Sequence, residues 1–410
     1  MTHHHRAWGA APSPRYEALA QRFRPVFQRI RDGAVERDLQ HRLPHEELHW
    51  LRAEGFARLR LPVEQGGTGA TLTEFFGLLV ELGAADTNVV NALRAHFGFT
   101  EDVLNSAFAD FRAHWLAKIA EGQTIGSGFS ESGDAKVGSF STRLTRDAQG
   151  QLRLSGRKFY TTGSLFADWI NTAADDEDGQ PVLVLVPRKA CGVQVDDDWD
   201  GFGQALTASG TAHFDQVAIE PAWVNPARAR FAYSSPYYQL VHLASLAGIA
   251  RALSEDLAQR VRERTRTYSH ANAGRSAQDP QVLQVVGRVH GAAYAANAIV
   301  QQAARALEQA WQSSQVRTLD AAAREQANVL AHVEVDQAVP VVTQLVLDAS
   351  TELFDALGAS AALRPAGLDR YWRNARTISS HNPRVYRERQ AGDYAVNGTP
   401  PPTYYRVGTA

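Results

Sequence analysis

The middle of the chain contains the stretch Gln151-Leu152-Arg153-Leu154-Ser155-Gly156-Arg157-Lys158-Phe159-Tyr160-Thr161-Thr162-Gly163-Ser164. Between Gln151 and Ser155, polar and apolar side chains alternate, which is the period of a β-strand with one buried face. The second half carries the hydroxyl groups of Thr161, Thr162 and Ser164, and hydroxyls in strands are usually satisfied by nearby backbone groups. We therefore expect a β-strand here, followed by a segment rich in hydroxyl groups.

This strand belongs to a central segment of short strands separated by turn residues. Another strand is predicted at Val182–Val186, directly after the polar turn Asp175–Gly179. The composition on either side is helical instead. We therefore expect a helical domain at residues 1–122, a β domain at residues 123–230 and a second helical domain at residues 231–410.

The two outer segments carry the periodicity of helices. Apolar side chains recur every three or four positions between Tyr16 and Ile30, as an amphipathic helix requires. The alanine-rich stretch Gly291–Ala310 favours helix formation and close helix–helix approach. Further helices are predicted over Pro44–Gly55, Leu72–Leu82, Asn88–Leu104, Pro236–Tyr268, Pro280–Ser313, Asp320–Gly358 and Ala366–Ser379.

The composition excludes several classes of function. Forty-two basic against 44 acidic residues give a net charge of −2, which provides no global field for nucleic acid or an anionic membrane. Cys191 is the only cysteine, so an intrachain disulfide and a multi-cysteine metal site are excluded. No apolar run has membrane-spanning length. We expect a cytoplasmic protein without nucleic-acid or membrane partners.

Four motifs occur in an order that resembles the acyl-CoA dehydrogenase superfamily of flavoproteins. They are Leu61–Gly67, Gly128–Gly133, Lys158–Trp169 and Ser209–Thr211. The resemblance covers nearly the whole chain and implies an α+β fold. Its parts would be an N-terminal helical domain, a central β-barrel or sandwich and a C-terminal four-helix bundle. The family also implies a homotetramer.

The segment Arg373–Pro383 indicates a particular branch of that superfamily. The dehydrogenases carry a glutamate in such a segment, where it removes a proton from the substrate, whereas the matching position here is Asn382. An amide has no useful basicity, so this chemistry loses its base. Together with Ala95–Phe99, His381 and Gly392–Gly398, the segment resembles the reduced-flavin monooxygenases of the dibenzothiophene monooxygenase group.

That resemblance implies a reaction, a cofactor and partners. We expect FMNH2 as the reduced flavin, with FAD as the alternative, and O2 as the oxidant. A separate NAD(P)H-dependent flavin reductase would supply the reduced flavin, since no nicotinamide-binding motif is present. The substrate would be a small organic molecule, and an organosulfur compound is the first expectation.

The resemblance also assigns roles to individual residues. His96 and His381 would flank the oxygen-reaction pocket as proton sources, because histidine titrates near neutral pH. Ser164 would pair with one imidazole, and Asn382 would orient His381, touch the flavin hydroperoxide or begin a turn. The residues predicted to bind the flavin are Phe129, Ser130, Tyr160, Thr161, Thr162, Arg275 and Arg373.

Two of these flavin ligands have an alternative interpretation. A guanidinium matches phosphate well, so Arg275, between two long helices, could reach the flavin phosphate across a subunit interface. It could equally be a solvated loop residue. Arg373 could bind phosphate or form structural ion pairs.

Two other functions stay open at the level of sequence. A true acyl-CoA dehydrogenase or another FAD oxidoreductase would need a relocated base, for which Glu352 or Asp355 are candidates. A non-catalytic scaffold would bind no flavin at all. His41, His45 and His49 have metal-like spacing, but Pro44 interrupts it, so no metal site is predicted.

Overall fold

The protein is described by a computed structural model covering residues 8–131, 139–227, 230–316 and 318–403. Within these residues twelve α-helices and eight β-strands follow the order helices, strands, helices, as the sequence predicts. The α+β fold with helical domains on both sides of a central sheet is confirmed.

The first helical segment holds seven helices. They are α1 (Tyr16–Asp32), α2 (Ala34–Gln40), α3 (His45–Ala53), α4 (Leu72–Ala85), α5 (Thr87–Ala92), α6 (Arg94–Leu104) and α7 (Ala109–Ala120). The single helix predicted over Asn88–Leu104 is wrong, because α5 and α6 are separate and meet at Leu93. Neither glycine nor proline stands at this junction, so local sequence gives no sign of it.

The central segment forms one mixed sheet. Its strands are β1 (Ile125–Gly128), β2 (Arg143–Arg146), β3 (Leu152–Lys158), β4 (Trp169–Asp175), β5 (Pro181–Pro187), β6 (Val193–Val195), β7 (Ala212–Ile219) and β8 (Val224–Asn225). The strand order is β6-β7-β3-β2-β4-β5-β8, and β1 pairs in parallel with β4. The strands predicted at Gln151–Ser155 and Val182–Val186 correspond to β3 and β5.

The second helical segment begins with three long helices. Its elements are α8 (Ser234–Glu263), α9 (Pro280–Gln315), α10 (Ala321–Leu357), α11 (Asp369–Ser379) and α12 (Arg384–Asn397). Four of them match predicted helices, whereas α12 was not predicted. None of the helices in the described ranges is long and apolar enough to cross a membrane.

The two helical segments share one hydrophobic core. Buried side chains of α1, α4 and α5 form a single cluster with those of α8 to α11. Helices α4 and α8 approach closely at two glycines, since a Cβ on Gly248 would lie 2.5 Å from the carbonyl carbon of Gly83. This packing fixes α6, which follows α5, against α8 and beside the edge of the sheet.

Candidate active site

One wall of the candidate site is formed by two adjacent segments of the β domain. The segment after β1 and the segment after β3 are joined by backbone hydrogen bonds: Ser127 N donates to Thr162 O (3.3 Å) and Phe159 N donates to Ser130 O (3.0 Å). Ser130 is exposed, Thr162 is half-buried, and half of the Tyr160 side chain is exposed. These three predicted flavin ligands therefore lie on two chain segments that are joined side by side.

A directed chain of hydroxyl groups lies behind that surface. Thr162 Oγ1 is 2.7 Å from Ser209 Oγ, which is 2.7 Å from Thr207 Oγ1, and Thr207 donates to Gln204 O (2.8 Å). A hydroxyl has a single hydrogen. Because Thr207 uses its hydrogen on the carbonyl, Ser209 must donate to Thr207 and Thr162 to Ser209. The lone pairs of Thr162 remain available as acceptors.

The opposite wall includes a stripe of residues along α6. Arg94, Gly98 and Asp102 are four residues apart and therefore share one face of the helix. Gly98 makes room for Tyr238 of α8, since a Cβ there would lie 1.8 Å from the tyrosine oxygen. Asp102 accepts two hydrogen bonds from Arg230, one of them 3.1 Å from Nε.

Arg94 connects this stripe of α6 with the chain segment that follows α11. Its Nε donates to Tyr238 O (3.2 Å), and its Nη1 lies 3.5 Å from His381 Nε2. The His381 ring packs on the ring of His242, with centroids 4.6 Å apart. Three helices, α6, α8 and α11, thus bring a guanidinium and two imidazoles together.

Arg230 connects the helical wall to the β wall. Its guanidinium lies 4.6 Å from the centre of the Tyr238 ring and 5.2 Å from that of Phe129, which precedes Ser130. The Arg94 guanidinium lies 4.7 Å from the same tyrosine ring. We call the set Arg94, Phe129, Arg230, Tyr238, His242 and His381 the arginine cleft.

The surrounding protein and the charge of Arg94 keep the imidazoles of the arginine cleft neutral. Close surrounding protein, followed by the positive charge of Arg94, lowers the pKa of His381, which is an exposed residue. The same causes take the pKa of the buried His242 well below its usual range. Burial and the neighbouring Arg230 lower the pKa of Arg94 to about 10, which leaves it charged at neutral pH. Without a bound ligand, His381 is therefore a neutral hydrogen-bonding group at neutral pH rather than an imidazolium.

His96 lies on another face of α6 from Arg94. It is completely buried, and its Nε2 is 2.8 Å from Ala57 O. Since a carbonyl only accepts, Nε2 carries the proton, and the buried Nδ1 has no partner among the described atoms. Burial lowers the pKa of His96 to about 4. The α6 side chain that contacts His381 is Arg94 and not His96.

The remaining predicted catalytic residues are Ser164 and Asn382. Ser164 is buried and its hydroxyl donates to Ser127 O (2.7 Å), so the structure uses it to join β1 to the turn after β3. Asn382 is half-buried. Its side chain forms a hydrogen bond with His381 that raises the pKa of the imidazole, against the larger lowering by the surrounding protein and Arg94. Of the roles open to Asn382, orientation of His381 has this support.

The other predicted flavin ligands differ in their surroundings. Thr161 is buried, and its backbone N and Oγ1 both donate to Gly210 O, at 3.0 and 2.8 Å. Arg373 pairs with Asp38 (2.5 Å) and Asp369 (2.8 Å), which favours its structural reading. Arg275 is exposed and forms no ion pair with the residues that the structure describes.

Neither carboxylate proposed as a relocated base lies on a wall of the arginine cleft. Glu352 and Asp355 lie on α10, and Glu352 pairs with Arg288 of α9 (3.2 Å). The carboxylates of α6 are already occupied, Asp102 by Arg230 and Glu101 by Arg60 (2.6 Å). The described residues thus provide no free general base in the cleft.

The β wall suits a flavin ring. The exposed tyrosine ring offers a stacking surface, and Ser130 and Thr162, on the two joined segments, provide hydroxyls that suit the polar edge of a planar heterocycle. Thr162 supports this fit most directly, because its free lone pairs match an N–H donor. Arg275, without an ionic partner among the described residues, has the right chemistry for a phosphate.

Four residues of the arginine cleft were missed by the sequence reasoning: Arg94, Arg230, Tyr238 and His242. Arg94 stands between Leu93 and Ala95 in a largely apolar helix, and a lone arginine in such surroundings is a signal that could have been used. His242 stands in an equally apolar part of α8. The sequence around Arg230 and Tyr238 gives no comparable signal, and their place in the cleft is visible only from their contacts with other elements.

Family comparisons identify the class of protein that this fold and site define. The model "Acyl-CoA dehydrogenase, N-terminal domain" matches residues 13–123, and the model "Acyl-CoA dehydrogenase, C-terminal domain" matches residues 240–384. The chain belongs to the acyl-CoA dehydrogenase superfamily. Within that superfamily its relatives include flavin-dependent monooxygenases.

Three of these relatives are similar over almost their whole length. The probable FMNH2-dependent monooxygenase SfnC of Pseudomonas putida is 27% identical, with 91% of this chain and 93% of SfnC covered. The FMN-bound structure of TdsC, a dibenzothiophene monooxygenase of Paenibacillus sp. A11-2, has a TM-score of 0.84 and 26% identity, and covers 94% of this chain and 98% of TdsC. The methanesulfinate monooxygenase MsuC of Pseudomonas fluorescens has a TM-score of 0.83 and 25% identity, at 96% and 99% coverage.

Proposed function

We propose that this protein is the oxygenase of a two-component flavin monooxygenase and oxidises a small organosulfur compound with FMNH2 and O2. One oxygen atom enters the substrate, the other leaves as water, and FMNH2 is oxidised to FMN. A separate NAD(P)H-dependent reductase supplies FMNH2. The similarity to SfnC, TdsC and MsuC supports both the cofactor and the sulfur chemistry.

The observation that carries this proposal is the position of His381. It stands in the segment where the dehydrogenases carry their glutamate, and it contacts Arg94 and His242 instead of a carboxylate. A neutral imidazole beside a guanidinium is a poor base for removing a proton next to a thioester carbonyl. The same groups can donate hydrogen bonds to a reduced oxygen species, which a monooxygenase must stabilise.

We assign the flavin to the β wall. Tyr160, Ser130 and Thr162 would hold the ring, and Arg275 would bind the phosphate, from the same or a neighbouring subunit of a homotetramer. Bound FMNH2 supplies the electrons that activate O2. His381, oriented by Asn382, would then donate hydrogen bonds in the cleft.

The direct experiment supplies the purified chain with chemically reduced FMN, without a reductase, and admits O2. Methanesulfinate and dibenzothiophene serve as trial substrates, with FADH2 as the comparison cofactor. We expect substrate oxidation to follow FMNH2 and to fall with FADH2. Reduction of bound FAD by an acyl-CoA, with no oxygen incorporated into any substrate, would overturn the proposal in favour of a dehydrogenase.

A further inference from the structure

Arg94 carries a charge that no carboxylate among the described residues balances. Its polar contacts are the Tyr238 carbonyl at 3.2 Å and His381 Nε2 at 3.5 Å. Its side chain is partly enclosed, and its guanidinium packs on an aromatic ring 4.7 Å away. A charged group in such surroundings normally pairs with an opposite charge, because desolvation of an unpaired ion is costly.

Arg230 adds to this imbalance. It contacts the same Tyr238 ring from 4.6 Å, and among the described residues the only carboxylate paired with either guanidinium is that of Asp102, which pairs with Arg230. The two imidazoles bring no negative charge. Counted together with Asp102, the described side chains of the arginine cleft therefore hold one net positive charge at neutral pH.

His242 provides an independent sign that a ligand is missing from the cleft. Only 7% of its surface is exposed, yet neither Nδ1 nor Nε2 has a hydrogen-bond partner among the described atoms. One of these nitrogens must carry a hydrogen. A buried N–H without an acceptor is rare in proteins, and here it lies against His381 beside Arg94.

We propose that the arginine cleft binds the anionic headgroup of the substrate, that this headgroup is a sulfinate, and that the same groups hold the sulfonate product. Arg94 supplies the charge, while His242, His381 and Arg230 offer N–H donors around it. This inference rests on the proposed function for its sulfur chemistry. For a sulfinate, the sulfur gains one oxygen to become a sulfonate, the second oxygen atom leaves as water, and FMNH2 is oxidised to FMN.

A neutral aromatic substrate fits these groups less well. Dibenzothiophene has no charge, so its burial against Arg94 would remove water from the guanidinium and return no counter-ion. An alkanesulfinate or alkanesulfonate brings several oxygen acceptors and a negative charge in a small volume. Such acceptors match the forked donors of arginine.

The test measures binding without turnover. Methanesulfonate is titrated by calorimetry into the flavin-free chain and into the chain with oxidised FMN, and dimethyl sulfone is the neutral control of similar shape. We expect methanesulfonate to bind, its affinity to fall as salt is raised, and dimethyl sulfone not to bind at the same concentrations. Absence of methanesulfonate binding in both forms overturns the inference, and so does tighter binding of acetate.

Three variants assign the binding to Arg94. R94Q should weaken methanesulfonate affinity by roughly 10- to 100-fold, the range for a charge-assisted hydrogen bond, while R94K should retain part of it. Arg305→Gln, on the exposed face of α9, should bind like the original chain. If R94Q and the original chain bind methanesulfonate with equal affinity, the assignment of the anion site to Arg94 is wrong. Thermal unfolding of each variant checks that the fold is intact.

The test of anion binding can succeed or fail independently of the test of the proposed function. If FMNH2-dependent oxygenation is found with a neutral substrate while no anion binds, the monooxygenase proposal stands and the anionic substrate is wrong. If methanesulfonate binds through Arg94 but FMNH2 supports no oxygenation, the anion site stands and the proposed reaction is wrong.

Discussion

Arg94 Nη1 and His381 Nε2 lie 3.5 Å apart, although 287 residues separate them in the chain. Arg94 begins α6 and His381 follows α11, so the contact exists only because both helical segments share one core. The guanidinium lowers the pKa of the imidazole, and an anion between them would have the opposite effect. Substrate binding would thus prepare His381 to donate a proton.

Replacing His381 with alanine should uncouple flavin oxidation from product formation. The variant loses a hydrogen-bonding group in the arginine cleft while the FMN surface of the β wall is unchanged. We expect less product per FMNH2 consumed and a matching rise in hydrogen peroxide, both measured in the same reaction. His213→Ala is the control, because His213 is a half-buried residue of β7 that pairs with Asp196 (3.4 Å) and lies outside the arginine cleft. Unchanged coupling in H381A would remove His381 from the mechanism.

Thr162→Val should weaken the binding of reduced FMN more than the binding of oxidised FMN. The Thr162 hydrogen is used by Ser209, so its oxygen accepts, and only the reduced ring has an additional N–H to donate. A hydrogen bond of this kind corresponds to roughly a 2- to 10-fold change in affinity. The reduction potential of bound FMN should become more negative, which potentiometry measures. Thr145→Val, exposed on β2, should leave it unchanged.

Arg275 and Arg373 should respond in opposite ways to substitution by glutamine. Arg275 has no ion pair with the described residues, so R275Q should weaken FMN binding and leave thermal stability unchanged. Arg373 bridges Asp38 and Asp369 and donates to Phe202 O (3.2 Å), so R373Q should lower the melting temperature and change FMN affinity little. Fluorescence titration with FMN and thermal unfolding distinguish them, and a reversed pattern would exchange the two roles.

His96 should make the chain less stable as the pH falls. Its pKa in the folded chain is lowered to about 4 from the usual 6.5, so the unfolded chain takes up the proton first. Stability is therefore complete above pH 6.5 and is lost as the pH falls towards 4, by up to about 3 kcal/mol from this residue. Urea unfolding at several pH values measures the slope.

The variant H96Q should flatten that slope. His242 and His332, whose pKa values are also lowered, contribute in the same pH range in both proteins, so the difference between the two slopes isolates His96. Identical slopes would mean that His96 is already protonated in the folded chain near pH 6.

Most of the fold could be predicted from sequence because its signals are local. Helical periodicity near Tyr16, alternation in β3 and the apolar run in β5 each follow from the side chains of one short segment. The junction between α5 and α6 at Leu93 was missed because no residue type marks it. Its position depends on how both helices pack against α8.

The candidate site was only partly predictable for the same reason. Ser130, Tyr160 and Thr162 follow strands, and matching motifs placed them together. The arginine cleft has no motif, since it is assembled from α6, α8 and the segments after β8 and α11. We predicted that His96 lies beside His381 because both are histidines. In the structure His96 contacts Ala57 O, and Arg94, on another face of α6, contacts His381.

Gly98→Ala tests whether the α6 stripe shapes the arginine cleft. The added Cβ would lie 1.8 Å from Tyr238 Oη and 2.1 Å from its ring carbon, so Tyr238 or α6 must move. Overpacking of this kind costs about 1–3 kcal/mol, measured as the free energy of unfolding in urea. Because Arg94 and Arg230 both pack on that ring, methanesulfonate binding should weaken as well.

Gly291→Ala on α9 is the matched control for this substitution. No atom lies within 4 Å of its added Cβ, and alanine favours a helix interior over glycine by roughly 0.5–1 kcal/mol. The control should therefore gain stability while G98A loses it. If both variants gain stability and methanesulfonate still binds as before, then Tyr238 does not need the space beside Gly98, and the cleft is not shaped by the contact between α6 and α8.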